Sequence, residues 1–292
     1  MVSKQQFGGD WTTEKLERLR KYLSAYTRIL SKKSFKYAYI DAFAGTGYRE
    51  SKETGNQQNL LLKELADIEP QKFLQGSARI ALECEPAFHK YIFIEKTEEK
   101  LSELQSNLSR EFPEKEKDII FIRGDANTVI QDRCEKDWRL HRAVLFIDPF
   151  GMQVAWPTIE ATAKTEAIDL WILFPLGVAV NRMLTKDGQI DEKWQRKLDE
   201  MFGRGDWYNA FYRANPQTSL YGKATEMQKT ADFSVILAYY VDRLKTVFPH
   251  VAENPLQLYN SKNNPLYALF FAAGNPKGGK TAIKIAQHIL GK

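Results

Sequence analysis

Four carboxylates stand just past four apolar runs, and that spacing is the chemistry-bearing pattern of this chain. Tyr39-Ile40 leads into Asp41 and then Phe43-Ala44-Gly45-Thr46-Gly47. Ile92-Phe93-Ile94 leads into Glu95, and Ile119-Ile120-Phe121-Ile122 is followed by Gly124-Asp125-Ala126. The run Ala143-Val144-Leu145-Phe146-Ile147 ends in Asp148-Pro149-Phe150-Gly151. A carboxylate is an acceptor with several lone pairs, suited to the hydroxyl and amine donors of a ligand. Open α/β sheets hold their ligands outside the carboxyl ends of the strands. An acid after a strand also caps the helix that follows. One such acid would carry only that reading, but four at one pole of a sheet favour a site. Gly45 and Gly47 lack a Cβ and tolerate positive φ, so the turn between them can bring backbone close to a ligand.

Strands alternating with helices must position these acids. The runs at 91–95, 118–123, 142–147 and 168–174 are apolar throughout, as strands covered on both faces are. Helices are expected over 97–110, 126–135 and 156–164, so the strands pair in parallel through right-handed crossovers. Ahead of them, Leu16, Leu19, Leu23, Tyr26 and Leu30 recur at spacings of three and four. They predict a helix from Thr12 packed beside the first strand, with Glu14, Lys15, Glu17 and Arg18 on its other side. After the glycine turn, residues 50–75 interrupt the usual strand–turn–helix unit, with a short apolar helix at 60–65. Tyr48, Arg49, Gln57, Gln58 and Asn59 are expected to overhang the pocket. The next helix is expected from Gly76-Ser77 to Leu82.

From 176 to 248 the pattern is helical and tryptophan-rich, and 231–248 reads as a core-facing helix. Residues 256–259 and 266–271 then flank Asn263-Asn264-Pro265 as a hairpin. The expected fold class is α/β: a Rossmann-like, mostly parallel sheet with a C-terminal antiparallel hairpin and a helical insertion. Its expected segments are an N-terminal helix (1–34), the main domain (35–175 with 254–292), and the insertion (176–253).

At 292 residues the chain suits one large domain with an appendage. No run approaches the roughly 20 apolar residues of a membrane span, and no signal-peptide core is present, so a cytoplasmic protein is expected. Cys84 and Cys134 lack any paired spacing and the histidines are scattered, which argues against a zinc or iron–sulfur site. Both cysteines are expected within helices, as small core residues. From Asn254 onward there are five lysines and no acid, which accounts for the whole net charge of +5. A basic end on a neutral body suggests an anionic partner, or simply a soluble tail.

The order Asp-x-Phe-x-Gly-x-Gly, Glu, Gly-Asp, Asp-Pro-Phe resembles class I S-adenosylmethionine-dependent methyltransferases, in particular the branch that methylates nucleic-acid amines. The stretches YIDAFAGTGYR, RAVLFIDPFGMQV and IDLWILFPLGVAVNRML are similar to the three-Cys-motif partner proteins, a methyltransferase-like family associated with a three-cysteine, radical-SAM-like protein. This resemblance implies S-adenosyl-L-methionine as cofactor, held by Asp41, Phe43, Ala44, Gly45, Gly47, Glu95, Asp125 and Ala126. Glu95 would accept from the ribose hydroxyls and Asp125 from the adenine amine, with Asn127 beside the ring. Asp148, Pro149 and Phe150 would meet the acceptor amine. The family's Asp-Pro-Pro-aromatic turn is altered here, since Phe150 replaces the second proline and Gly151 the aromatic. Stacking on a base then falls to Phe150 or Trp156.

Two other readings stay open. The same fold can serve as a non-catalytic partner of the three-cysteine protein. In addition, Gly274-Asn275-Pro276-Lys277-Gly278-Gly279-Lys280-Thr281 fits the P-loop spacing. A nucleotide-hydrolysing role there is disfavoured, because Pro276 removes an amide and only eleven residues follow. Arg49, Lys277 and Lys280 are instead expected to contact nucleic-acid phosphate.

Overall fold

The computed structural model describes residues 11–46, 76–149, 151–214 and 227–291. The expected helix at 60–65 and the overhanging Tyr48, Arg49, Gln57, Gln58 and Asn59 lie outside them, as do Gly47 and Phe150.

The first half alternates as its periodicity dictates. The elements are α1 (Trp11–Leu30), β1 (Lys36–Asp41), α2 (Ser77–Leu82), β2 (Lys90–Glu95), α3 (Glu98–Glu111), β3 (Ile119–Arg123), α4 (Ala126–Cys134), β4 (His141–Ile147), α5 (Trp156–Lys164) and β5 (Ile168–Phe174). A single, wide π-helical turn at Leu176–Val180 follows β5. Next come α6 (Glu192–Phe202), α7 (Trp207–Phe211), β6 (Tyr212–Ala214), β7 (Met227–Lys229) and α8 (Phe233–Lys245). The chain closes with β8 (His250–Val251), β9 (Leu256–Tyr259), β10 (Pro265–Ala273) and α9 (Gly279–Leu290).

The main sheet runs β3-β2-β1-β4-β5-β10-β8, with β9 also paired to β10. Strands β1 to β5 are mutually parallel, whereas β10 is antiparallel to β5, β8 and β9. From β1 the chain builds outward to β3 and then returns to the other side of β1 for β4. That reversal opens a crevice between the carboxyl ends of β1 and β4. The expected hairpin is present as β9–β10.

Successive residues of each strand feed opposite faces, as a period of two requires. Ile40, Leu145, Ile172 and Phe270 join one core, while Tyr39, Val144, Trp171 and Phe271 join the other. Helices α1, α2, α3 and α9 cover the second face; α4, α5, α6 and α8 cover the first. Phe202, Trp207, Phe211 and Tyr240, from the segment between β5 and β8, share one core with the sheet. Beyond the expected helices, that segment contains the ribbon β6–β7, paired antiparallel through Tyr212–Lys229, Arg213–Gln228 and Ala214–Met227. Three-residue strands are too short to leave a period in sequence. His250–Val251, within the expected 176–253 segment, already pairs with β10.

Helix α1 differs from expectation in what it buries. Lys15 and Arg18, expected on its outer side, are both buried. Arg18 donates to the carbonyl of Ile289 (3.0 Å) near the end of α9, where a cation suits the helix dipole. Tyr22 lies against Trp171 and Phe271 of β5 and β10, so α1 spans the middle of the sheet rather than lying beside β1 alone. Cys84 is buried just beyond α2 rather than within it; Cys134 ends α4. No helix among the described residues is long and apolar enough to cross a membrane.

Candidate active site

Asp41 ends β1 with no solvent exposure. It accepts hydrogen bonds from Ser77 Oγ (2.5 Å), Tyr39 OH (3.1 Å) and the Phe43 amide (3.4 Å). Burial raises its carboxyl pKa to about 6, those three donors oppose the shift, and neighbouring Asp148 adds to it. Asp41 therefore braces the turn that follows it. The turn is sewn in on both sides: the Ala42 amide donates to the Phe146 carbonyl and the Ala44 amide to that of Ile94. Phe43 packs against the core of the first face. Gly45 has φ of +58°, and no atom of the described residues lies within 4 Å of where its Cβ would stand. Among the described residues the turn thus leaves its backbone uncovered at the crevice.

Glu95 is half-exposed at the end of β2, and its Oε1 accepts from the Thr97 amide (2.9 Å) where α3 begins. Asp125 caps α4 by accepting from the Asn127 amide (3.1 Å), and Lys96 Nζ lies 3.5 Å from its other oxygen. The capping role weighed for these acids is thus real at Asp125, whose carboxylate nevertheless stays exposed at the pole. Ala126 is buried behind it. Asn127, expected beside the ring, engages its side-chain polar atoms within the fold. Its Oδ1 accepts from the Ala155 amide (2.9 Å) and Thr158 Oγ1 (2.8 Å), and its Nδ2 donates to the Gln153 carbonyl (2.8 Å). This side chain bolts α4 to the chain that follows Asp148.

Asp148 caps no helix, because α5 starts only at Trp156 with Ala155 before it. Its carboxylate instead meets the ammonium of Lys15 from the first turn of α1. Lys15 is 4% exposed. Its Nζ stands 5.1 Å from the centroid of Trp11, whose ring stacks on Tyr267 of β10 at 4.7 Å and 27°. Pro149 is buried beside Asp148. Trp156, expected as an alternative stacking surface, is buried with its indole donating to Glu160 (2.8 Å), so it is not available to an incoming base. Sequence reasoning missed Lys15, though a signal existed: Lys15, Leu19, Tyr22 and Tyr26 share the spacing of one helix stripe.

Asp41, Phe43, Ala44, Gly45, Glu95, Asp125, Ala126, Asp148 and Pro149 therefore gather at one pole. Lys277 and Lys280 do not. Because β10 is antiparallel, its end at Ala273 pairs with Asp169 at the start of β5, which delivers the 274–281 loop to the opposite pole. The expected phosphate cradle is also filled from within. Asn275 Oδ1 accepts from the amides of Lys277 (2.9 Å) and Gly278 (2.7 Å), closing an Asx-type turn ahead of α9.

The strand order, the crevice at β1–β4 and the antiparallel β10 define an α/β protein with a Rossmann-like, mostly parallel sheet. No family model matches the chain, and no curated protein matches it in sequence. Among solved structures it is similar to protein LPL1258 from Legionella pneumophila, at 12% identity and a TM-score of 0.45, over 94% of this chain and 90% of that one. Trm1 from Pyrococcus horikoshii, solved in complex with S-adenosyl-L-methionine, is 14% identical with a TM-score of 0.42, over 97% of this chain and 60% of its own. Spermidine synthase from Thermotoga maritima is 12% identical with a TM-score of 0.40, over 91% and 60%. Likenesses this distant carry nothing about chemistry, and the fold assignment stands on the topology.

Proposed function

We propose that the chain is an S-adenosyl-L-methionine-dependent methyltransferase acting on an amino or ring position of a nucleic-acid base. The observation that carries this reading is that Asp41 and Asp148 stand near each other at the carboxyl ends of β1 and β4, beside the crevice, with Glu95 and Asp125 at the next two strand ends. The residues present fit such a donor: no described residue covers the turn at Gly45, Glu95 is half-exposed, and Asp125 presents an exposed carboxylate. When bound, the donor would supply an electrophilic methyl group. Glu95 and Asp125 would hold its ribose and adenine, while Asp41 fixes the turn facing its amino acid end. Asp148, followed by Pro149 and Phe150, would accept hydrogen bonds from the acceptor nitrogen and so enrich its lone pair.

The test is calorimetry with S-adenosylmethionine and ATP in parallel, followed by tritiated methyl incorporation into mixed DNA and RNA. Glu95→Ala is expected to weaken donor binding by on the order of 1–3 kcal/mol through loss of a ribose acceptor. Asp125→Ala would also remove a helix cap, so Asp125→Ser, which can keep the cap, is the cleaner variant. Undiminished affinity in both Glu95→Ala and Asp125→Ser would refute their assignment, and binding of ATP alone would refute the donor.

A second reading has one observation in its favour: a buried lysine already bonds Asp148. On that reading the fold binds donor or nucleic acid as an accessory to a three-cysteine, radical-SAM-like partner, without transfer. The incorporation assay is therefore run with and without the co-purified cysteine-rich protein.

The remote Lys277 and Lys280 make a separate expectation. Changing both to Ala should leave donor affinity unaltered, since they lie at the opposite pole. If nucleic acid extends that far, the double variant should lower its affinity and reduce the salt dependence by roughly two phosphate contacts. An unchanged salt slope would confine nucleic-acid contact to the crevice side.

A further inference from the structure

Lys15 is the buried cation of the candidate active site, and removing an ammonium from water is costly without a paired anion. Asp148 supplies that anion through Oδ2. Oδ1 makes no hydrogen bond among the described residues, on a side chain 24% exposed. The first turn of α1 and the start of β10 meet here through Trp11 and Tyr267, so the lysine is held in a rigid corner rather than on a mobile surface. A carboxylate clamped by one oxygen presents the other in a defined direction.

We infer that Lys15 is the positioning residue for Asp148: its ammonium fixes Oδ2 so that Oδ1 is aimed at the N–H of the methyl acceptor. The inference rests on the methyltransferase reading above. Lys15 also balances the negative charge that Asp148 places beside Asp41 on the adjacent strand. Tyr39, Ser77 and the Phe43 amide bond Asp41, and none of them is a compensating cation. An ammonium is a point donor and occupies one oxygen. A guanidinium in its place would engage both in a fork.

That difference separates positioning from mere tethering of α1. Wild type, Lys15→Arg, Lys15→Met, Asp148→Asn and Lys15→Met/Asp148→Asn are compared for unfolding midpoint, donor affinity by calorimetry, and kcat and KM for transfer to mixed DNA and RNA. Lys15→Arg is expected to keep the midpoint and the donor affinity, yet to lower kcat by roughly ten-fold because the fork occupies the oxygen meant for the acceptor. Lys15→Met should lower kcat similarly, and adding Asp148→Asn should slow it little further, since the lysine acts through that carboxylate. A Lys15→Arg protein with wild-type kcat overturns the inference, and so does multiplication of the two losses in the double variant. Should Lys15→Met not fold, Lys15→Arg decides alone. Wild type that binds donor but transfers to nothing overturns the parent reading and this inference together; wild type that transfers while both Lys15 variants keep pace overturns the inference only.

Discussion

Asp169→Asn is expected to remove most of a loss of stability that the wild-type protein suffers as pH rises from about 4 to about 7. Asp169 opens β5 and is 8% exposed. Tyr22 of α1 donates to it (2.7 Å), and the Gly274 amide of the β10–α9 loop and Arg142 of β4 lie near. Burial outweighs these favourable groups and raises its pKa from 3.8 to about 7. The folded protein therefore holds this proton over a range in which the unfolded chain has released it. The stabilisation is complete below about pH 4 and is lost as pH climbs through the folded value. A shift of about three units corresponds to on the order of 4 kcal/mol. Asn keeps an acceptor for Tyr22 and cannot ionise, so the variant should be the more stable protein at pH 8. Asp41, raised to about 6 by burial, leaves a smaller fall in the same direction over about pH 4 to 6. Urea unfolding of both proteins from pH 4.5 to 8 measures this. Parallel curves would show that Asp169 does not hold its proton in the folded state.

Asp148→Asn should lower methyl transfer by roughly ten-fold or more while leaving donor affinity nearly intact. The two effects separate because Glu95 and Asp125 sit at the ends of β2 and β3, whereas Asp148 ends β4 across the crevice. Asn retains the shape and one acceptor but loses the charge that makes the acceptor strong. It also leaves the Lys15 ammonium buried beside a neutral group, so the unfolding midpoint should fall as well. A loss of helix capping cannot produce these effects, since Asp148 caps no helix. Donor affinity falling in step with transfer would mean that Asp148 belongs to the donor's own contacts. A wild type that binds donor and a cysteine-rich partner but transfers nothing would establish the accessory reading.

The alternation of apolar runs with amphipathic helices was legible because burial leaves a local period. Strands covered on both faces read as unbroken Ile, Val, Leu and Phe, and β5 begins and ends at the expected 168 and 174. Helix α5 likewise spans its expected residues, and Asp125 caps α4 as its residue type permits. The four strand-end acids stand out as a group in the amino-acid sequence for the same reason, since parallel strands share one carboxyl pole.

Tertiary structure alone decided what those acids touch. The Lys15–Asp148 bond joins residues 133 apart, and it exists because α1 crosses the sheet with its first turn over the crevice. The period around Lys15 marks a buried stripe, but no local pattern says what waits beneath it. Asn127, next to an expected ligand acid, was turned inward by the 153–158 segment, whose course depends on how α5 docks. The P-loop spacing at 274–281 shows the limit most directly. Spacing says nothing of which way the preceding strand runs, and an antiparallel β10 carries that loop, with Lys277 and Lys280, to the far end of the sheet. Sequence determined which residues could form a site, through local burial and residue chemistry; strand direction and helix crossing, set by long-range packing, decided which of them meet.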